Sequence, residues 1–183
     1  MNNRSDEQLM TAFGKGEQRA FACLYQRHKG PLYRYFTRQL DFSQHARAEE
    51  LFQEVWYRVV DKRETYQASA KFTTWLYTIA RNLISDEHRK RMSEQAYREA
   101  QVSEESAQQI SDYSEQKRMA IMICLSLLAP LQREAFLLRY DSGFEPREIC
   151  SIVGAKPEAV KTRLRYALEL LRQCLTRKLG ERE

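Results

Sequence analysis

Glycine and proline are scarce in this chain, at 6 and 4 of 183 residues. Alanine, leucine, glutamate, glutamine and arginine are common, and together these favour helix over turn-rich sheet. No apolar run approaches the length of a membrane span, and the opening MNNRSDEQ lacks the apolar centre of a signal peptide. A cytoplasmic location is expected. The four cysteines, Cys23, Cys124, Cys150 and Cys174, are far apart, with no CxxC and no histidine at ligand spacing. They read as small core or half-buried residues of a reducing compartment, not as metal ligands or redox groups. The histidines His28, His45 and His88 are scattered, no nucleophile pairs with a base, and no glycine-rich phosphate loop is present. That pattern argues against an enzyme, and no cofactor, metal or small-molecule substrate is expected.

Lysine and arginine number 30 against 25 acidic residues, a formal net charge of +5. The excess is too modest to define a partner, so its placement carries the information. Apolar spacing predicts a helix from Ser5 or Asp6 to about Gly14 or Gly16, and a second from Glu17 with Phe21, Leu24, Tyr25 and His28 inward. Gly30-Pro31 is expected to bend or break the chain before the pattern resumes over 32–40. A third helix is expected over 43–62, where Leu51, Phe52, Val55, Trp56, Val59 and Val60 form one stripe. Residues 64–71 read as a loop, and a fourth helix follows over 72–91.

Residues 93–116 are rich in Ser, Gln and Glu, with six acidic side chains against Arg98 alone. Such a stretch buries too little to offset its ordering entropy, so it reads as a flexible acidic linker. Helical pattern returns over 117–128, 130–140, 146–153 and 157–178. The expected fold is all-α: two small domains, 1–92 and 117–183, joined by that linker.

The second domain reads as a helix-turn-helix. Pro146 and Pro157 suit first helical positions, and Gly154 can supply the left-handed turn between the two helices. Val160, Leu164, Leu168, Leu171 and Leu175 form a stripe expected to pack on Ile149 and Val153. Residues 156–178 hold seven basic and two acidic side chains. A basic face with its charges near the helix start suits a DNA major groove and its flanking phosphates.

Two N-terminal segments go beyond a generic helical domain. Around AEELFQEVW, the side chains of Glu49, Glu50, Gln53 and Glu54 gather on one polar face, suited to a basic protein surface rather than to DNA. Residues 71–86 interleave aromatics and amides, and His88-Arg89-Lys90-Arg91 follows. Unstacked bases need π-faces and shaped pockets, while cations track the backbone. For Trp75, core packing and base stacking both remain open.

Taken in order, AEELFQEVW, FTTWLYTIARNLISDEHRKR and LAPLQREAFLLRYDSGFEPREICSIVGAKPEAVKTRLRYALELLR resemble bacterial RNA polymerase sigma factors of the extracytoplasmic-function group. The resemblance covers nearly the whole chain. It implies that Glu49, Glu50, Gln53 and Glu54 meet the clamp helices of the polymerase β′ subunit, with the β subunit also contacted. It implies that Ile79, Ala80 and Asn82 line a pocket for a flipped base of the −10 element. Trp75 and Asp86 fall in the same segment, and Arg81, Arg89 and Lys90 would hold nearby phosphates. Lys161, Thr162, Arg163 and Arg165 would meet the −35 duplex, with Lys156 and Tyr166 beside them. An anti-sigma factor is the implied negative regulator.

Four residues depart from the family's pattern. Glu145 stands where Ser usually caps a helix, Ala159 replaces a usual Thr, Tyr166 a common Arg, and Arg47 a frequent acid, which would dilute the docking patch. The recognition helix runs nearly to Glu183, so no appended C-terminal domain is expected. Two other readings are a stand-alone helix-turn-helix regulator, which leaves the acidic face and the aromatic segment without a use, and a helical adaptor whose basic helix is incidental.

Overall fold

The computed structural model describes residues 3–40, 44–98 and 113–180, and among these there is no strand. Eight α-helices follow in order: α1 (Asp6–Gly14), α2 (Gln18–Gln39), α3 (His45–Asp61), α4 (Phe72–Arg98), α5 (Tyr113–Ser126), α6 (Pro130–Phe136), α7 (Pro146–Val153) and α8 (Pro157–Gly180). No helix among the described residues is long and apolar enough to cross a membrane.

Local sequence explains most of the boundaries. Ser5 caps α1 by accepting the Gln8 N–H at 3.3 Å, while Gln8 Oε1 accepts the Ser5 N–H at 3.0 Å, a reciprocal capping box. Gly154 ends α7 with φ 62 and ψ 38, the left-handed turn expected of it. Glu145 opens α7, and its own N–H donates to Glu148 Oε2 at 2.8 Å. Pro146 and Pro157 are each the first residue of their helix.

Three expectations are corrected. Pro31 lies inside an unbroken α2. A proline mid-helix costs about 3 kcal/mol, but Leu24, Leu32, Tyr35 and Phe36, on both sides of it, are fully buried, each contributing roughly 1.5–3 kcal/mol. On α8 the inward stripe is Val160, Ala167, Leu171 and Cys174, with Leu164 partly buried, whereas Leu168 is 39% exposed. The true spacing of 160, 164, 167, 171 and 174 follows the helical period, and position 168 falls about 100° off it. Third, Cys124 on α5 and Cys174 on α8 form a disulfide with Cα atoms 5.8 Å apart, while Cys23 and Cys150 are free and half-buried. Tests of local spacing cannot detect partners 50 residues apart.

α4 runs on to Arg98 and α5 begins at Tyr113, so both ends of the expected linker are helical and its middle lies outside the described residues. After α6 the chain passes into a π turn over Leu137–Asp141. This register puts the adjacent Leu137 and Leu138 both fully into the core and lets their carbonyls accept from Ser142 and Phe144 at 2.9 and 3.0 Å.

α1–α4 form one layer of packing and α5–α8 another, with α4 lying against α7. Glu7 of α1 accepts the Phe72 N–H at 3.0 Å, placing a carboxylate on the positive end of α4. That bond, above all, holds the Glu7 carboxyl below its ordinary range.

Candidate polymerase and promoter interface

Three exposed faces emerge from these helices. On α3, burial of Ala48, Leu51, Val55, Trp56 and Val59 turns Glu49, Glu50 and Gln53 outward, with Glu54 half-buried beside them. Glu50 receives Arg47 at 2.6 Å, and Glu54 receives Arg58 at 2.9 Å. Arg47 does more than dilute this patch. Its Nε and Nη2 both donate to Glu87 Oε2 on α4, at 2.9 and 2.7 Å. The Glu87 side chain is only 9% exposed, so Arg47 neutralises a carboxylate that would otherwise be enclosed and unpaired.

On α4, Asn82, Asp86, Arg89 and Lys90 lie at i, i+4, i+7 and i+8 and are exposed, with Asp86 paired to Arg89. Arg81 lies on the adjoining side and donates from Nε to Glu134 of α6 at 3.2 Å. Burial pushes the Glu134 carboxyl up, and Arg81 and Arg163 pull it back. Ile79 and Ala80 are not at the surface: they are 7% and 0% exposed, members of the core stripe with Leu76 and Leu83. The open space nearby is a cleft of about 280 Å³ with Arg81, Ile84, Arg89 and Met92 on one wall and Leu131 and Glu134 on the other. Trp75 is half-buried, its ring 5.2 Å from Tyr66 and 6.0 Å from Phe72. These contacts are those of core packing.

On α8, Lys161, Thr162, Arg165 and Tyr166 share the exposed side, with Lys156 exposed just ahead of the helix. The Arg165 guanidinium lies 5.1 Å from the Tyr166 ring centre, a cation–π contact. Arg163 is not on this face. It is half-buried toward α6, and its Nη1 is enclosed without a hydrogen-bond partner.

Sequence reasoning missed the seam that joins these parts. Lys71 reaches Glu148 at 2.7 Å, Arg38 pairs with Asp141, and Arg133 Nη1 donates to the Gln39 carbonyl at 3.0 Å. Tyr77 of α4 meets Phe144 edge-on at 4.8 Å. The two cations Lys71 and Arg81 and the mixed charges along 134–148 carry a trace of this, but they read equally well as solvated faces.

Two family models match the chain, Sigma-70 region 2 over residues 24–94 and Sigma-70, region 4 over 118–171. The chain belongs to the sigma-70 family, the promoter-recognising sigma factors of RNA polymerase. Within that family its relatives are extracytoplasmic-function sigma factors. It is 30% identical to RNA polymerase sigma factor CarQ of Myxococcus xanthus over 91% of this chain and 95% of that one. It is 29% identical to SigW of Bacillus subtilis, covering 88% and 91%. Its fold matches the sigma factor RpoE of Bartonella quintana, solved with the anti-sigma factor NepR, with a TM-score of 0.73, 25% identity, and coverage of 85% and 96%.

Proposed function

We propose a division of labour among the three faces. Residues 1–92 dock on core polymerase through Glu49, Glu50, Gln53 and Glu54, against its β′ clamp helices, and engage the −10 element through α4. Asn82 contacts a flipped base, and Arg81, Arg89 and Lys90 hold phosphates. Residues 117–183 read the −35 duplex with Lys156, Lys161, Thr162, Arg165 and Tyr166, with Arg163 half-buried beside them against α6 of the same domain. The work is non-covalent: pairing energy lost on opening the duplex is offset by pocket contacts and stacking on one strand. No bond is made or broken by this chain, which acts in the cytoplasm.

The observation that carries this reading is the separation of charge. The outward side of α3 is acidic, while α4 beyond Asn82 and the first half of α8 are basic. One surface suits a basic protein and the other two suit phosphate. Negative control by an anti-sigma protein follows from the family, as the NepR complex of the Bartonella quintana protein illustrates for that relative.

The deciding experiment is run-off transcription with core polymerase, with and without this chain, on a genomic promoter library. Discrete new start sites are expected only with the chain present, together with co-elution with core enzyme. Absence of both removes the reading.

A further inference from the structure

The disulfide between Cys124 and Cys174 has no place in promoter recognition as described above. It joins α5 to the distal half of α8, the helix whose first half carries Lys161, Thr162, Arg165 and Tyr166. The enclosed side chains of α5 besides Cys124 are Ala120 and Leu125, followed by Leu128, while Ile121 is 43% exposed. On α8 the enclosed side chains nearest Cys174 are Leu171 and Ala167. The bond closes a loop that contains α6, α7 and most of α8, and long loops are where a cross-link restricts the unfolded chain most.

Disulfides in proteins of a reducing compartment are mostly transient or redox-sensing. We propose that Cys124–Cys174 is a reversible thiol–disulfide clasp that sets the stability of the −35-reading domain. This rests on the cytoplasmic sigma-factor reading only for where the chain meets a thiol pool. Glutathione thiolate attacks Cys174 Sγ, the sulfur of the more exposed cysteine at 7% against 1% for Cys124. The S–S bond breaks, its electron pair leaves on Cys124, and that sulfur takes a proton. A second glutathione thiolate attacks the glutathione sulfur of the mixed disulfide, releasing oxidised glutathione and the Cys174 thiol. Two glutathiones are oxidised as one disulfide is reduced, and the reverse exchange restores the clasp.

The test uses the full chain equilibrated with oxidised or reduced glutathione, then alkylated under denaturing conditions. Two labelled thiols are expected in the oxidised form and four in the reduced form. The reduced form should melt lower by on the order of 10 °C. Cys124→Ala/Cys174→Ala should melt like the reduced form in both buffers, and Cys23→Ser/Cys150→Ser should keep the full redox shift. Four labelled thiols after exhaustive oxidation overturn the proposal. So do a bond that resists glutathione in the native chain and equal melting of the two forms. At a temperature between the two melting points, the oxidised chain should support several-fold more run-off transcript. A melting shift with no transcript from either form upholds the clasp and strikes the sigma-factor reading instead.

Discussion

Arg81, in the segment assigned to the −10 element, is held by Glu134 of the other domain at 3.2 Å. The same side chain cannot hold a promoter phosphate while it is there. On the division of labour proposed above, the seam is a resting arrangement that promoter engagement opens.

Arg81→Ala deprives the enclosed Glu134 carboxylate, its side chain 7% exposed, of its partner across the seam and should weaken the seam by roughly 1–2 kcal/mol. Small-angle scattering of the full chain should report a larger radius of gyration. An unchanged radius would mean that this pair does not hold the domains together.

Phe144→Ala deletes the ring that meets Tyr77 edge-on at 4.8 Å. Phe144 is 6% exposed, so the loss should approach about 3 kcal/mol, shared between the seam and the turn before α7. Chemical denaturation should show it, with the C-terminal domain unfolding first. A loss below about 0.5 kcal/mol, the usual range of a surface change, would contradict the burial.

Asn82→Ala leaves the core intact, since Asn82 is exposed on α4. Permanganate footprinting should show impaired opening of the −10 region while affinity for core polymerase is kept. Equal loss in both assays would count against a base contact at Asn82.

Arg47→Ala strands Glu87, whose side chain is 9% exposed. The variant should lose on the order of 2 kcal/mol of stability in thermal melts, because an enclosed carboxylate is left unpaired. Arg47→Lys should recover only part of this, since the bond to Glu87 uses two guanidinium nitrogens. Full recovery by lysine would mean that charge alone suffices.

Acid should loosen the fold in two places. The Phe72 N–H holds the Glu7 carboxyl below its ordinary range, and Lys71 does the same for Glu148. Their contributions are complete above the unfolded carboxylate value of about 4.3 and are lost as pH falls through the lower folded values. Glu134 is raised by burial and works in the opposite sense, favouring the folded state as it takes up a proton. Melting curves from pH 6 down to pH 3 should therefore fall less steeply for Glu7→Gln and Glu148→Gln than for the parent chain. Parallel curves would remove these two carboxylates from the account.

Helix type and order were legible wherever the apolar period was strong and a boundary residue marked its start or end, as at Ser5, Pro146, Gly154 and Pro157. The acidic face of α3 was legible for the same reason, because period and charge agree there. What escaped was set by distant contacts. Pro31 is tolerated because Tyr35 and Phe36 bury beyond it. Leu168 faces outward because the enclosed stripe of α8 runs through Ala167 and Leu171 instead. Ile79 and Ala80 sit in motif positions but are enclosed in the core here. Arg163 lies among basic neighbours in sequence yet turns toward Glu134, and only the fold reveals that.

Glu148 divides its carboxylate: Oε2 accepts the Glu145 N–H at the start of α7, and Oε1 accepts Lys71 from across the seam. Parting the domains surrenders only the second of these. The first turn of α7 keeps its cap throughout, so the reading head leaves storage already folded. On the proposed division of labour, release of the second domain asks only that two folded bodies separate, a hinge motion of microseconds to milliseconds, with no refolding of α7.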